Sequence, residues 1–361
     1  MPDIQTYFTW RKLPASTLGS DSAMKVDWDR LNASRLDLPF MCADAMTAAL
    51  AVFGSGLERL LIAQSGGRTV AMFLMVPDGT LRWRTFQPSQ LPLGTWVAEP
   101  VADLAAICRS AMRGPLSPCL AISITQVDPL QAERPAEAPD LRSSDYIDTA
   151  WVEISGSFDD FWAARGKNLR QNMRKQRNKL AADGVAAEMR VLRNLQDMAP
   201  AIARYGELES AGWKSGRGTA IHPDNEQGRF YTRLLEDAAR RGEALAFEYL
   251  LGGRTAAMNF GLLRSGVWTV LKTTYDESLP KTLSPAFLLR EEELQYLHGT
   301  QEVRRIEYYG RLMDWHTKLT DARRILFHLT VYRWPVVKRW AMRRRKPAPV
   351  DHAGAEVPQV Q

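Results

Sequence analysis

The segment SLPKTLSPAFLLREEELQYL, residues 278–297, joins a serine–proline pair to an apolar helical pattern. Ser284 is a favourable N-cap, and Pro285 falls at the first helical position, where its missing N–H costs nothing. The next three amides are then expected to be free at the positive end of the helix: Ala286, Phe287 and Leu288. With Lys281 three residues before the cap, this helix end could bind a phosphate or pyrophosphate. The alternative is a well-capped helix that binds no ligand.

The element before this helix favours the ligand. Residues 266–275, GVWTVLKTTY, have the composition of a strand that leads directly to the serine–proline segment. In open α/β sheets, ligands bind beyond the carboxyl ends of strands. We therefore expect the helix start to lie where a ligand can reach it.

The motif GGRTVAM at residues 66–72 returns as GGRTAAM at residues 252–258. Each copy separates two apolar runs, and glycine reaches the positive φ that a tight hairpin turn needs. A helical stretch precedes each hairpin and another strand follows it. The pattern predicts an α/β protein built from two related halves. The segment 128–140, rich in proline and acidic residues, is expected to connect them.

The length of 361 residues also favours two domains, since single cores stop growing below that size. We predict an N-terminal half over residues 1–140, a C-terminal half over 145–330, and a basic tail with a disordered end over 331–361. The C-terminal half is predicted to contain one helix from the Ser157 cap to Gly184. A later helix is expected to break near Pro200.

The chain has the features of a cytoplasmic protein without a metal. It begins without an apolar signal segment, and no apolar run approaches the roughly 18 residues of a membrane span. The cysteines Cys42, Cys108 and Cys119 follow no paired spacing, so we expect reduced thiols. The histidines show no spacing typical of metal ligands, and no phosphate-loop or nucleophile-elbow motif is present.

The net charge of +6 is concentrated in two stretches. Residues 165–179 and 333–346 each hold seven positive charges and no acid, which leaves −8 for the rest of the chain. The first stretch is interpreted as a solvated helix with one face on the core. Contact with RNA or with an anionic glycan or nucleotide-linked substrate is the alternative.

The second half resembles the GNAT acyltransferase superfamily, most closely its FemAB-like and CelD-type branch found near polysaccharide biosynthesis genes. The resemblance rests on five segments: FWAARGKNLRQNMRKQRNKLAADG, ELESAGWKSGRGTAI, RRGEALAFEYLLGGRTAAMNFGLL, YDESLPKTLSPAFLL and IEYYG. It covers residues 146–318 and extends weakly to the first half. It implies tandem GNAT-like halves, the first degenerate, each a mixed, mostly antiparallel sheet flanked by helices.

Two residues depart from the pattern of that branch. The usual Ser-Pro-Gly at the helix start reads Ser-Pro-Ala here, with Ala286 in place of glycine, and the usual aspartate of the next strand is Glu307. Neither change removes a chemical group that acyl transfer needs.

The resemblance implies an acyl-CoA-dependent N-acyltransferase that uses acetyl-CoA or another acyl-CoA. The residues implied to hold the co-substrate are Lys281, Ser284, Ala286, Phe287 and Leu288. Direct transfer to an amine also needs a base or water and an acid for the leaving thiolate. The candidates are Glu209, Lys214, Tyr275 and Tyr308, with Asp276, Glu307 and Tyr309 of suitable type. Glu209 could instead be a solvated charge, and one of the two adjacent tyrosines is expected in the core.

The acceptor implied is an amine on a small molecule or glycan, such as an amino sugar or a cell-envelope precursor. The long helical arm of FemAB-like enzymes is not evident, which favours acyl-CoA over aminoacyl-tRNA as the donor and makes nucleic acid an unexpected partner. The alternative function is a non-catalytic scaffold or regulator of exopolysaccharide assembly.

The tail VYRWPVVKRWAMRRRKPAPV, residues 331–350, combines tryptophan with arginine. Trp334, Val337 and Trp340 are expected on one helical face, joined by Val336. Such a face suits the boundary between lipid headgroups and acyl chains. We therefore predict peripheral contact with an anionic inner membrane through residues 331–346. The alternative is that the tryptophans pack on the domain.

Overall fold

The computed structural model describes residues 8–211 and 221–344. Within these residues the chain forms two compact units. The first comprises residues 8–148 and 324–344, and the second comprises 149–211 and 221–323. Residues 324–330 thus belong to the first unit, whereas the sequence assigned them to the second half.

The first unit begins with strands and helices that run from Thr9 to the middle of a long strand. They are β1 (Thr9–Pro14), α1 (Thr17–Ser20), α2 (Ser22–Ala33), α3 (Ala43–Phe53), β2 (Arg59–Ser65), β3 (Arg68–Pro77), β4 (Arg82–Thr85), β5 (Trp96–Ala98), α4 (Leu104–Arg113), β6 (Ala121–Val127) and β7 (Leu141–Glu153). The boundary between the units falls inside β7, after residue 148.

The second unit continues from β7, and the chain then returns to the first unit. The second unit contains α5 (Phe158–Ala163), α6 (Lys167–Ala182), β8 (Ala187–Leu192), α7 (Leu195–Ala211), α8 (Glu226–Arg240), β9 (Ala244–Leu251), β10 (Arg254–Arg264), β11 (Val267–Tyr275), α9 (Pro285–Thr300), β12 (Arg305–Glu307) and α10 (Asp314–Thr317). The returning elements are β13 (Arg323–Tyr332) and α11 (Pro335–Arg344).

The two sheets repeat one plan. The first has the order β1-β2-β3-β4-β6-β13, followed by the early part of β7, with β5 on β3. The second has the order β12-β11-β10-β9-β8, preceded by the late part of β7. In each, a parallel pair is joined by a crossover that contains a helix, β4–α4–β6 and β11–α9–β12, while the meander before it is antiparallel. The prediction of related α/β halves with mixed, mostly antiparallel sheets is confirmed.

The repeated motif forms the same hairpin turn in both units. The glycine pairs have φ of 58° and 79° in the first hairpin and of 56° and 79° in the second, values that a side chain would strain. Each second strand then carries one extra residue, Val70 in β3 and Ala256 in β10. The threonine before the bulge donates to a carboxylate in both cases, to Asp27 and to Glu248, at 2.7 Å.

The basic segment differs from the predicted single helix. Ser157 caps α5 through the amide of Asp160, as expected, but the helix ends at Ala163 and α6 begins after Gly166. Glycine is a poor helix former, which allows the break. The apolar face of α6 does lie on the core of the second unit, while most of its basic side chains are exposed. Pro200 does not break α7, which continues to Ala211.

The return of β13 to the first unit has a packing cause. Phe327, Leu329 and Val331 occupy alternate positions of β13, so their side chains project from one face. All three lie in the hydrophobic core of the first unit, where β13 pairs antiparallel with β6. The register of β13 is thereby fixed by the burial of one face.

Candidate functional site

The carboxyl-terminal ends of β11 and β12 separate, and we call this opening the strand fork (residues 269–275 and 307–310). The strands pair only from Val267–Arg305 to Thr269–Glu307. Beyond that point β11 continues to Tyr275, whereas the amide of Tyr308 donates to Ala150 of β7. The edge of β11 that faces the fork is therefore not paired with β12, which leaves space for a ligand at a strand end.

A bulge lies in β11 just inside the fork. Phe260 of β10 pairs with Lys272 and the next residue, Gly261, pairs with Val270, so Leu271 is the extra residue. A Cβ at Gly261 would lie 2.0 Å from the carbonyl oxygen of Thr269, so only glycine allows this close approach of β10 to β11. A bulge changes the direction of the backbone and side chains that follow it, and this bulge precedes the end of β11.

The first turn of α9 differs from the predicted set of free amides. The amides of Phe287 and Leu288 both donate to the Ser284 carbonyl, at 3.0 and 3.1 Å. The Ser284 side chain makes no capping hydrogen bond, and its amide donates to Oε1 of Gln176 at 2.7 Å. Among the described residues, only the amide of Ala286 in this turn lacks an acceptor. Leu288 makes the first ordinary i→i−4 bond of the helix, so its amide should not have been counted as free, and a tight i→i−3 bond satisfies the amide of Phe287.

A cavity of about 290 Å³ adjoins the start of α9. Its walls come from α6, the β9–β10 hairpin and the connection between β11 and α9. Lys179 and Arg254 contribute positive charge to its lining, and Asp183 and Asp276 contribute negative charge. Gln176 links the cavity to the α9 start. Lys281 is exposed in the same connection. The Ala286 amide and the exposed Lys281 are donors that fit the phosphates of a nucleotide-bearing co-substrate.

Six side chains beside the fork form a group that we call the buried polar cluster; four are buried, and Tyr275 and Trp315 are half-buried. They come from β11, α9, α10 and the end of β12. They are Tyr275, Arg290, Glu293, Tyr308, Trp315 and His316. The guanidinium carbon of Arg290 lies 3.8 Å from the Trp315 ring centroid. The Tyr308 ring lies 5.1 Å from Trp315 and 4.8 Å from His316, edge to face. The cluster therefore places a guanidinium and a phenol around one indole.

Arg290 is a buried cation without an ion pair. It is 5% exposed, and Nη1 donates to the Ala286 carbonyl at 3.1 Å. Among the described residues, no carboxylate oxygen lies within 4.0 Å of its guanidinium nitrogens. Burial lowers the pKa of Arg290, which Tyr308, Glu293 and Tyr275 partly oppose. Such a group is costly to bury and attracts negative charge.

Burial sets the protonation states of its neighbours. It raises the pKa of Tyr308, helped by the nearby Glu293 carboxylate, so the phenol keeps its proton. Burial also raises the pKa of Glu293 to about 7. The hydrogen bond that Asn259 donates to it at 2.7 Å acts in the opposite direction and lowers that pKa. Burial, with Arg290 nearby, lowers the pKa of His316 to about 3. The cluster at neutral pH thus contains a neutral imidazole and a phenol able to donate.

Comparison with known proteins assigns this region. Residues 167–317 match the family model described as an acetyltransferase (GNAT) domain. The matched residues all lie in the second unit. The strand fork, the bulge, α9 and all six residues of the buried polar cluster lie inside the matched range.

Solved structures support the fold of the chain. The C-terminal domain (DUF2156) of a proposed lysylphosphatidylglycerol synthetase from Agrobacterium fabrum is 15% identical and has a TM-score of 0.51, over 82% of this chain and 90% of that one. A conserved protein of unknown function from Bacteroides thetaiotaomicron is 12% identical and has a TM-score of 0.50, over 90% of this chain and 99% of that one. At these identities the likeness concerns the fold. No curated protein matches the sequence.

A tandem GNAT protein from the clavulanic acid biosynthesis pathway also aligns. It is 16% identical over 90% of this chain and 98% of that one, with a TM-score of 0.46.

The predicted catalytic residues fall into different places. Tyr275 and Tyr308 lie on the two arms of the fork, within the buried polar cluster. Glu209 is not a solvated charge: it is 4% exposed on α7, and its Oε2 accepts the amide of Ile221 at 2.7 Å. Lys214 lies outside the described residues.

The residues that follow β12 also correct the sequence reading. Tyr308 and Tyr309 were expected on opposite sides of a strand, with one in the core. The strand ends at Glu307, Tyr309 adopts a left-handed φ of 48°, and both tyrosines are buried. The turn at Tyr309 changes the direction of the chain, so strand alternation no longer applies.

Sequence reasoning missed Arg290, Glu293, Trp315 and His316. One signal was available: Arg290 and Glu293 are three residues apart and share a helical face with the buried Leu297. Charged residues are almost never fully buried unless they are paired. Among the described residues, no group of three or more His, Cys, Asp or Glu side chains could hold a metal.

Proposed function

We propose that the protein is an acyl-CoA-dependent N-acyltransferase whose second unit carries out the transfer. The observation that supports this most directly is a protonated, buried phenol, Tyr308, at the strand fork of a GNAT domain. Acyl-CoA, when bound, supplies an acyl group activated as a thioester. The chain's own residues then have to hold the phosphates, position the carbonyl and provide a proton for the thiolate.

The residues of the second unit divide this work. The Ala286 amide at the positive end of α9, with Lys281, holds the phosphates. The unpaired edge of β11 beyond Thr269 offers backbone amides to the thioester carbonyl. Tyr308 donates its proton to the leaving thiolate, and Tyr275 lines the opposite arm. The roles proposed for Glu209 and Lys214, as base or acid, rest on the resemblance.

The first unit is proposed to bind no CoA. Its crossover helix, α4, begins at an aspartate whose Oδ1 accepts the amides of Ala105 and Ala106, at 2.8 and 3.1 Å. The carboxylate of Asp103 therefore occupies the position that an anion would take at the helix start, and it would repel a phosphate. We expect one CoA site per chain.

The acceptor class and location follow from the resemblance. We propose an amine on an amino sugar or on a polysaccharide or envelope precursor, and action in the cytoplasm, where acyl-CoA is made. The described cysteines are buried and form no disulfide, as in a reducing compartment. Polysaccharide scaffolding without catalysis remains the competing function.

Calorimetry with the purified full chain separates an enzyme from a scaffold. We expect CoA and acetyl-CoA to bind with one site per chain. Release of free thiol from acetyl-CoA should then accelerate when a panel of amino sugars and other amines is added. Failure of the chain to bind CoA or acetyl-CoA would overturn the enzyme and favour the scaffold.

Replacing Ala286 with aspartate tests the anion site apart from folding. An acid in the first turn stabilises a helix, so the free energy of unfolding should be unchanged or higher. The same charge should repel the phosphates and weaken CoA binding by about 10-fold or more. Ala286→Asn, which has the same shape without the charge, is the matched control in calorimetry. Equal affinities of the two variants for CoA would show that the start of α9 does not bind the phosphates.

A further inference from the structure

The last described helix, α11, belongs to the first unit and is attached to it along one side. Arg333 donates to the Met112 carbonyl at 2.8 Å just before the helix. Lys338 donates to Oε2 of Glu137 at 2.6 Å and to the Ala138 carbonyl at 2.8 Å. These contacts fix which side of α11 faces the unit and which side faces outward.

The outward side of α11 combines apolar and positive side chains. Val336, Arg339, Trp340 and Arg343 follow the spacing of one helical face and are all exposed. Trp334, just before the helix, and Trp340 keep 51% and 54% of their surface exposed, and Val336 keeps 58%. Both tryptophans therefore keep about half of their surface accessible. Val337, predicted on the tryptophan face, is half-buried instead.

The charge of this side is unbalanced. Among the described residues, Arg339 and Arg343 form no ion pair, and the nearby acid, Glu137, is engaged by Lys338. The sequence continues with Arg344, Arg345 and Lys346 and has no acid before Asp351. A partner for this face must therefore be negatively charged and must also accept tryptophan and valine side chains.

We propose that the outer face of α11, with Trp334, docks on an anionic membrane surface. Tryptophan is favoured at the boundary between headgroups and acyl chains, and arginine pairs with anionic headgroups. A helix with one apolar and basic face lies in the plane of that boundary without crossing it. Among the described residues, no helix is long and apolar enough to span a membrane. The docking would hold the chain beside acceptors made at a membrane.

Vesicle sedimentation with the full chain tests the proposal. We expect binding to vesicles of phosphatidylcholine mixed with phosphatidylglycerol, little binding to phosphatidylcholine alone, and weaker binding at high salt. Arg339→Gln with Arg343→Gln should weaken binding to the anionic vesicles by about 10- to 30-fold, since each basic residue near such a surface contributes about 1 kcal/mol. Trp334→Ser with Trp340→Ser should weaken binding to the same vesicles also at high salt, because it removes the apolar contribution.

The matched control changes charge elsewhere. Arg174 and Lys175 are exposed on α6, so Arg174→Gln with Lys175→Gln removes the same charge from another basic surface. We expect this control to bind anionic vesicles nearly as the unaltered chain does. An equal loss in the control, or equal binding to neutral and anionic vesicles, would overturn the proposal. So would light scattering that shows a dimer lost in the tryptophan variant with vesicle binding unchanged. The affinity for CoA, measured by calorimetry, tests the proposed function separately and does not depend on how the chain binds vesicles.

Discussion

Replacing Tyr308 with phenylalanine should lower kcat for acyl transfer by about 10²- to 10⁴-fold, the range that general acid catalysis contributes. Burial and the Glu293 carboxylate keep the phenol protonated, so it can donate to the leaving thiolate across the usual assay range. Phenylalanine keeps the ring that lies 5.1 Å from Trp315. The affinity for CoA should therefore change little, which calorimetry can verify beside the thiol-release rate.

Tyr309→Phe is the matched control for this prediction. Tyr309 is the next residue, is buried to a similar extent, and follows the same strand. We expect its removal of a hydroxyl to leave kcat within a few-fold of the unaltered chain. A large loss in Tyr309→Phe with full activity in Tyr308→Phe would transfer the proton-donating role to Tyr309. Equal kcat in both variants would show that neither tyrosine donates the proton to the thiolate.

The hairpins could be predicted from the sequence because the repeated motif contains the residues that the turn requires. Two consecutive residues need positive φ, and glycine supplies both in each copy. The structure adds why the following residues recur. Threonine bonds a carboxylate and the next residue is the bulge, so the motif encodes a turn and a register shift together.

Contacts between distant segments could not be read from local patterns. The segment 128–140 was interpreted as a connection, yet Asp128 forms an ion pair with Arg324 at 2.6 Å, and their side chains are 0% and 8% exposed. This pair joins the start of that segment to β13, 196 residues later. Hydrophobic periodicity identifies a strand face but not the sheet that receives it, so β13 was assigned to the wrong unit.

The sequence predicted where the candidate site lies, at the start of α9, but not which side chains form it. The serine–proline pair correctly marked the start of α9, but the Leu288 amide makes an ordinary helical bond, and sequence does not show that a tight bond will use the Phe287 amide. Arg290 and Glu293 carry charge, and charge in a sequence is ordinarily interpreted as exposure. Their burial depends on the fork and on α10, which only the tertiary structure brings against α9.

Glu293 should make the folded chain less stable as pH rises. Its ordinary pKa of 4.5 is raised to about 7 by burial, so between these values the folded state keeps a proton that the unfolded chain has lost. The stability from that proton is complete below about 4.5 and is lost as pH rises through about 7. Two and a half pKa units correspond to about 3 kcal/mol, which the folded state has lost by about pH 8.

Glu293→Gln should therefore raise the free energy of unfolding by about 3 kcal/mol at about pH 8, and by less than about 1 kcal/mol at about pH 5. Glutamine keeps an oxygen for the Asn259 amide, which donates at 2.7 Å, so the packing need not change. Urea unfolding of the full chain at both pH values measures the difference. Glu207→Gln, at an exposed position on α7, is the control and should change neither value.

His316 acts in the opposite direction and must be separated from Glu293. Because burial lowers its pKa to about 3, the neutral ring favours the folded state above its ordinary value of 6.5, and this stability is lost as pH falls towards 3. The contribution is common to both chains, so it cancels in the difference between Glu293→Gln and the unaltered protein. A gain that is equal at both pH values would show that Glu293 is not the titrating group. A pH-dependent gain together with slower acyl transfer is what we expect, because a buried carboxylate kept at a cost in stability is typical of a functional site.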